Sequence, residues 1–182
     1  AARRGIKVEL FEMRPGKQTG AHTGGDLAEL VCSNSLGSNL PDRAAGLLKA
    51  ELRRMGSMLM ACADQAAVPA GRALAVDRNM FARSVTQAME SHANITIIRQ
   101  EMQDIPETPA IIASGPLTSA PLSQAIRNLS GEDHLFFYDA IAPVLRIDTI
   151  DTEIAYRASR YDTDKIGQGD YLNCPLTQAE YD

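Results

Sequence analysis

The chain has 182 residues, a net charge of −5, 45% hydrophobic and 23% charged residues, 13 Gly and 9 Pro, the composition of a folded globular protein rather than a disordered or fibrous one. No apolar run approaches the roughly eighteen residues of a membrane span, and three cysteines with no C-x-x-C spacing, Cys32, Cys62 and Cys174, exclude a disulfide framework and a zinc module. Acidity gathers at the C-terminal end, where residues 127–182 hold 5 Lys and Arg against 11 Asp and Glu, so a global basic surface for gripping nucleic acid is excluded as well.

Taken in chain order, Ala1-Ala2-Arg3-Arg4-Gly5 reads as the last turn of a helix, with basic residues before a terminating glycine. It has neither the apolar region nor the cleavage site of a signal peptide, which with the unpaired thiols predicts a reducing, cytoplasmic compartment. Ile6 to Phe11 alternates as a strand and ends in an acid, Glu12, ahead of the Arg14-Pro15-Gly16 breaker. Helix end, glycine, strand, acid is the order that follows the phosphate loop of a dinucleotide-binding βαβ unit, where the acid takes the ribose hydroxyls of the adenosine. None of the 13 glycines forms the G-x-G-x-x-G motif itself.

Lys17 to Glu29 reads as a polar loop leading into Leu30-Val31-Cys32-Ser33-Asn34-Ser35-Leu36-Gly37. Small polar residues around a thiol suit a loop packed close to a ligand, although a cysteine is also a small hydrophobe that needs no chemistry. From Pro41 to about Ala63, the positions Ala44, Leu48, Leu52, Met55, Leu59 and Cys62 follow the rhythm of one helix face, with Ser38 or Asn39 as caps. Cys62 falls on that apolar stripe and reads as core. Arg43, Lys49, Arg53 and Arg54 are either a solvated helix face or a local nucleic-acid contact.

Asp77 is a good cap for a second helix running to His92, with Phe81, Val85, Ala88 and Met89 facing inward. Ile95 to Ile98 predicts a buried strand, and Ala110 to Ala113 another, broken by Ser114-Gly115-Pro116. A strand that ends in such a small-residue turn brings backbone close to a cofactor. A loop and helix follow from Leu117 to Leu129, and a domain boundary is expected between about 118 and 131, beyond which the chain is acidic and tyrosine-rich.

Several strings together resemble one family: Phe11-Glu12-Met13-Arg14-Pro15, Ala28-Glu29-Leu30-Val31-Cys32-Ser33-Asn34-Ser35-Leu36, Val68-Pro69-Ala70-Gly71, Leu74-Ala75-Val76-Asp77-Arg78, Gly115-Pro116-Leu117-Thr118-Ser119, Phe137-Tyr138-Asp139-Ala140, Ser159-Arg160-Tyr161 and Tyr171-Leu172-Asn173-Cys174-Pro175. They are similar to the folate- and FAD-dependent tRNA (uracil-C5) methyltransferases, which convert the T-loop uridine to ribothymidine, and the resemblance runs through essentially the whole chain. It implies an α/β protein: an incomplete Rossmann-like FAD-binding domain, a parallel sheet with helices, over 1–117, then over 118–182 the start of an inserted α+β, RNA-facing domain.

It further implies tRNA as partner, FAD as carrier, methylenetetrahydrofolate and NAD(P)H as co-substrates, and no metal. By resemblance Cys174 is the thiolate that adds to uracil and Cys32 the second catalytic thiol. Glu12, Arg14, Ser33, Asn34, Ser35, Arg78, Ser114 and Gly115 are the cofactor-binding positions. The competing readings are a flavoprotein that modifies wobble uridines, another FAD-dependent oxidoreductase, and a non-catalytic tRNA-binding segment. Cys174 separates the methyltransferase reading from the flavoprotein alternatives, since a plain oxidoreductase has no need of a thiol in an Asn-Cys-Pro string.

Overall fold

The computed structural model describes residues 1–131, 145–159 and 169–181; the expected Phe137-Tyr138-Asp139-Ala140, Arg160 and Tyr161 lie outside them. The chain forms two compact units, one of Ala1–Cys32 with Ala82–Ala142, the other of Ser33–Phe81 with Pro143–Asp182.

In the first unit, a short 3-10 turn, Ala2–Arg4, closes on Gly5 at φ 81°, a left-handed cap that glycine adopts without steric cost. Strand β1 (Val8–Phe11) then pairs in parallel with β5 (Ile95–Ile98), Val8 opposite Ile95 and Phe11 opposite Ile98. The pairing carries past the strand, since the Glu12 amide donates to the Ile98 carbonyl at 3.0 Å. β1 is shorter than the sequence predicts because Ile6 and Lys7 have no ladder partner and stand exposed. Helix α4 (Ala120–Ser130) buries Leu122 and Ser123 and ends on Gly131 at φ 68°.

Ala110 to Ala113 is not a strand. Ile111 is 94% exposed, and an apolar tetrapeptide becomes a strand only where a neighbouring edge accepts its backbone. Among the described residues none does.

The second unit is built on an antiparallel sheet in the order β2-β4-β3, from Ser35–Ser38, Ala73–Val76 and Ala67–Val68 respectively. Part of what reads as a ligand loop, Ser35 to Gly37, is therefore an edge strand. All four residues of β4 are buried, and Ala70, Ala73 and Ala75 form a small-residue patch on which Tyr171 packs. Tyr171 opens β7 (Tyr171–Asn173), which pairs antiparallel with β6 (Tyr156–Ala158).

The single helix expected over 41–63 is two, α1 (Ala44–Arg54) and α2 (Met58–Gln65). Gly56 at φ 70° ends the first, and Ser57 caps the second by accepting the Met60 amide. The cap of α1 is Arg43, without a side-chain bond, rather than Ser38 or Asn39. The expected apolar face is also displaced: Leu48 and Met55 are exposed while Gly46 and Lys49 are buried. Gly46 explains the displacement, because the Leu40 backbone lies where its Cβ would be, and only glycine lets α1 approach so closely. Lys49 turns inward to donate to the carbonyls of Ser38 and Ala45 at 2.8 and 2.9 Å.

Helix α3 (Arg78–Glu90) starts where the sequence places it, the Asp77 carboxylate accepting the Met80 amide at 2.8 Å. Phe81, Ala82 and Val85 are buried. No helix of the described residues is long and apolar enough to cross a membrane.

Candidate functional site

A densely bonded polar cluster of the first unit forms where β1 ends. The Glu12 carboxylate accepts from the Arg14 amide (2.9 Å) and Nε (3.0 Å) at Oε1, and from Arg14 Nη2 (2.9 Å) at Oε2. On its far side the same guanidinium reaches Glu29 Oε2 through Nη1 at 2.8 Å and the Asp26 carbonyl through Nη2 at 3.0 Å. Glu29 also accepts from the Thr23 amide, the Thr23 hydroxyl and the Gly24 amide. Arg99, just past β5, donates to the carbonyls of Arg14 and Gly25.

Burial pushes the Glu12 carboxyl up, but the Arg14 hydrogen bonds and the Arg14 and Arg99 charges outweigh it and hold the group below its ordinary value of 4.5. Glu29 behaves alike, burial being overcome by Thr23, Gly24 and Arg14. His22, bonded to Thr19 Oγ1 at 2.6 Å, is held below its ordinary value by burial and by Arg14, against the pull of Glu29 and Glu12. Of this cluster the sequence pointed to Glu12 and Arg14. Glu29, His22 and Arg99 carry no site signal in the sequence, since nothing in local spacing pairs residues 15 or 85 positions apart.

Farther along the first unit, Gly115 sits at φ 73° with open space where a Cβ would be. The Ser114 and Thr118 hydroxyls bond at 2.7 Å, and Thr118 donates to the Gly115 carbonyl at 2.7 Å. The result is an exposed, closed turn. Cys32, at the end of the first segment of this unit, is exposed.

In the second unit, Ser33 Oγ accepts the Ser35 amide and Ser35 Oγ accepts the Gly37 amide, at 3.1 and 3.2 Å. Serine oxygens used as acceptors keep their own protons to donate. Asn34 extends the β2-β4 pairing: its carbonyl accepts the Val76 amide at 3.0 Å and its Nδ2 donates to the Val76 carbonyl at 3.1 Å. Arg78 is exposed at the start of α3 and makes no ion pair with Asp77, whose Oδ1 is engaged by Met80.

Cys174 follows β7 and is exposed. Its strand is anchored at two points, Tyr171 on the alanine patch and the Asp170 carboxylate on the Gly71 amide. Cys62 is buried in α2, where burial pushes its thiol up. Of the basic quartet, Lys49 is buried on carbonyls, and Arg53 is taken by Asp64 at 2.7 and 2.8 Å, which leaves Arg43 and Arg54 exposed. Among the described residues no group of three or more His, Cys, Asp or Glu could hold a metal ion.

The glucose inhibited division protein A family model matches residues 1–182. The chain belongs to that family. Within it, the chain is 56% identical over 181 residues to the methylenetetrahydrofolate--tRNA-(uracil-5-)-methyltransferase TrmFO of Rubrobacter xylanophilus, covering 100% of this chain and 40% of that protein. It is 54% identical to the Bacillus subtilis protein of the same name (100% and 41%) and 53% identical to that of Heliobacterium modesticaldum (99% and 40%). The chain thus spans about two fifths of the length of these curated relatives. The α/β architecture with the parallel β1-β5 pair agrees with the family's Rossmann-like fold.

Proposed function

We propose that the protein to which this chain belongs transfers a one-carbon unit from methylenetetrahydrofolate to C5 of the T-loop uridine of tRNA, in the cytoplasm. NAD(P)H supplies the two electrons that take a methylene to a methyl, so the balance is uridine, methylenetetrahydrofolate, NAD(P)H and a proton going to ribothymidine, tetrahydrofolate and NAD(P)+. When bound, FAD supplies the carrier chemistry between folate and base. The reading is supported chiefly by identity of 53 to 56% to proteins named for this reaction, over matches that cover 99 to 100% of the chain.

The chain's own residues divide the work as follows. Uracil C5 becomes nucleophilic only after a nucleophile adds at C6. Cys174 is that nucleophile: its thiolate forms the bond to C6, and after C5 has accepted the one-carbon unit and lost its proton the thiolate leaves. Cys32 is the second thiol of the reaction. Cys62 takes no part, because a buried thiol with a raised pKa is a poor thiolate.

Glu12 fits the adenosine ribose of FAD by the chemistry of its donor set. It is an acceptor-only carboxylate at the C-terminal end of a parallel strand, where α/β sheets bind their ligands, and its side chain is 19% accessible. The hydroxyls of Ser33 and Ser35 donate to the flavin or folate pocket that they line with Asn34. Arg78 and the Ser114-Gly115 turn are further cofactor-binding positions by resemblance. Residues 1–117 carry the cofactor role and 118–182 begin the RNA-facing part.

The test is transfer of label from the methylene group of methylenetetrahydrofolate into tRNA uracil by the intact protein. Label at C5 that requires both folate and reductant supports the reading. Methylation that persists without folate contradicts it.

A further inference from the structure

We infer that Arg14 sets how the ribose is read: by filling one oxygen of Glu12 it leaves the carboxylate able to accept from a single ribose hydroxyl. This rests on the reading above that Glu12 is the ribose acceptor, and goes beyond it by naming the residue that limits Glu12 to one bond.

A carboxylate offers about four acceptor positions, two on each oxygen. Glu29 has all of its own occupied: Oε1 by the Thr23 amide and hydroxyl, Oε2 by the Gly24 amide and Arg14 Nη1. Glu12 does not. Its Oε1 is filled by the Arg14 amide and Nε, while Oε2 holds only Arg14 Nη2. Of the two carboxylates on this guanidinium, Glu12 alone keeps capacity, at one position of Oε2.

Accessibility agrees with that division. The Arg14 side chain is 4% exposed and the Glu12 side chain 19%, so a ligand reaches the carboxylate and not the cation. Arg14 is thus a positioning residue. Its three donors to Glu12 come from one residue two positions away, and Glu29 and the Asp26 carbonyl fix the guanidinium from behind. A planar fork so held presents Glu12 in one orientation before the ligand arrives. Lysine would carry the charge without the fork: the backbone amide would stay on Oε1, and the position that Nε fills would open.

The experiment uses the intact protein stripped of flavin and titrated, by flavin fluorescence, with FAD and with two analogues lacking either the 2′ or the 3′ hydroxyl of the adenosine ribose. The expected result is that one deletion weakens binding about tenfold or more and the other leaves it within about twofold. In Arg14→Lys, the second deletion is expected to weaken binding too, because the position that Nε vacates on Oε1 then accepts the other hydroxyl. Two deletions of equal effect in the unaltered protein would overturn the single-bond inference and leave the ribose reading standing. No effect of either would overturn the ribose reading and the inference with it. An unchanged pattern in Arg14→Lys would remove Arg14 from the role, and should that variant fail to fold, the two analogues on the unaltered protein still decide the single-bond claim.

Discussion

Around Glu12 nearly every polar group is answered from within the chain: one guanidinium serves two carboxylates and a carbonyl, and Glu29 has no acceptor position left. Cys32 in the first unit and Cys174 in the second are exposed thiols, and the hydroxyls of Ser33 and Ser35, which follow Cys32 in sequence, accept from backbone while keeping their protons. The first region is bonded within itself and keeps one acceptor position open on Glu12. The two thiols instead stand open to solvent. A cofactor held through many turnovers suits the first arrangement, and a substrate that must enter, react and leave suits the second.

The sharpest way to break this contrast is Arg14→Met. Removing the cation leaves Glu12 and Glu29 facing each other without their shared partner, and such a loss typically costs about 3 kcal/mol. Urea unfolding of the intact protein checks it. A loss within about 0.5 kcal/mol, the range of an ordinary surface substitution, would mean that the knot is no stronger than a surface pair.

The thiols sharpen the contrast at smaller scale. Cys62→Ser puts a hydroxyl into a site from which water is excluded and is expected to cost about 1 to 2 kcal/mol. Cys32→Ser and Cys174→Ser, at exposed positions, should change stability by no more than about 0.5 kcal/mol. Thermal unfolding of the three variants side by side gives the ranking.

The smallest effect is a pH dependence. Glu12 and Glu29 titrate below 4.5 in the folded chain, so the unfolded chain takes up their protons first as pH falls. Their contribution is complete above 4.5 and is lost on acidifying through the lowered folded values. Unfolding midpoints followed from neutral pH into that acid window should fall, and Arg14→Met should flatten the fall. An equal slope in the variant would place the acid sensitivity elsewhere.

Much of this was legible in the sequence where a local signal decides the outcome. The glycine after Arg3-Arg4, the strand ending at Glu12, the Asp77 cap, the strand Ile95 to Ile98 and the buried Cys62 all follow from neighbours a few residues away. What was not legible depends on distant partners. Ala110 to Ala113 has strand composition but no edge to pair with, and Ala73 to Val76 forms the buried centre of a sheet with few β-branched residues to announce it. Helix 41–63 breaks at Gly56, which interrupts an apolar rhythm that otherwise continues. Lys49 reads as a surface charge and is buried because Gly46 lets α1 sit against Leu40. The candidate site shows the same limit: Glu12 was visible from its strand, whereas the Arg14-Glu29 pairing that governs it needs the loop to close.

The central claim, that Cys174 supplies the nucleophile and Cys32 does not, is tested most directly by covalent trapping of the intact protein with tRNA carrying 5-fluorouracil at the target position. The fluorine cannot leave C5 as a proton does, so the thiolate bond to C6 persists and the protein–RNA adduct survives denaturing electrophoresis. The account predicts an adduct with the unaltered protein and with Cys32→Ala, and none with Cys174→Ala. An adduct that forms with Cys174→Ala and is absent with Cys32→Ala would contradict it and reverse the two thiols' roles.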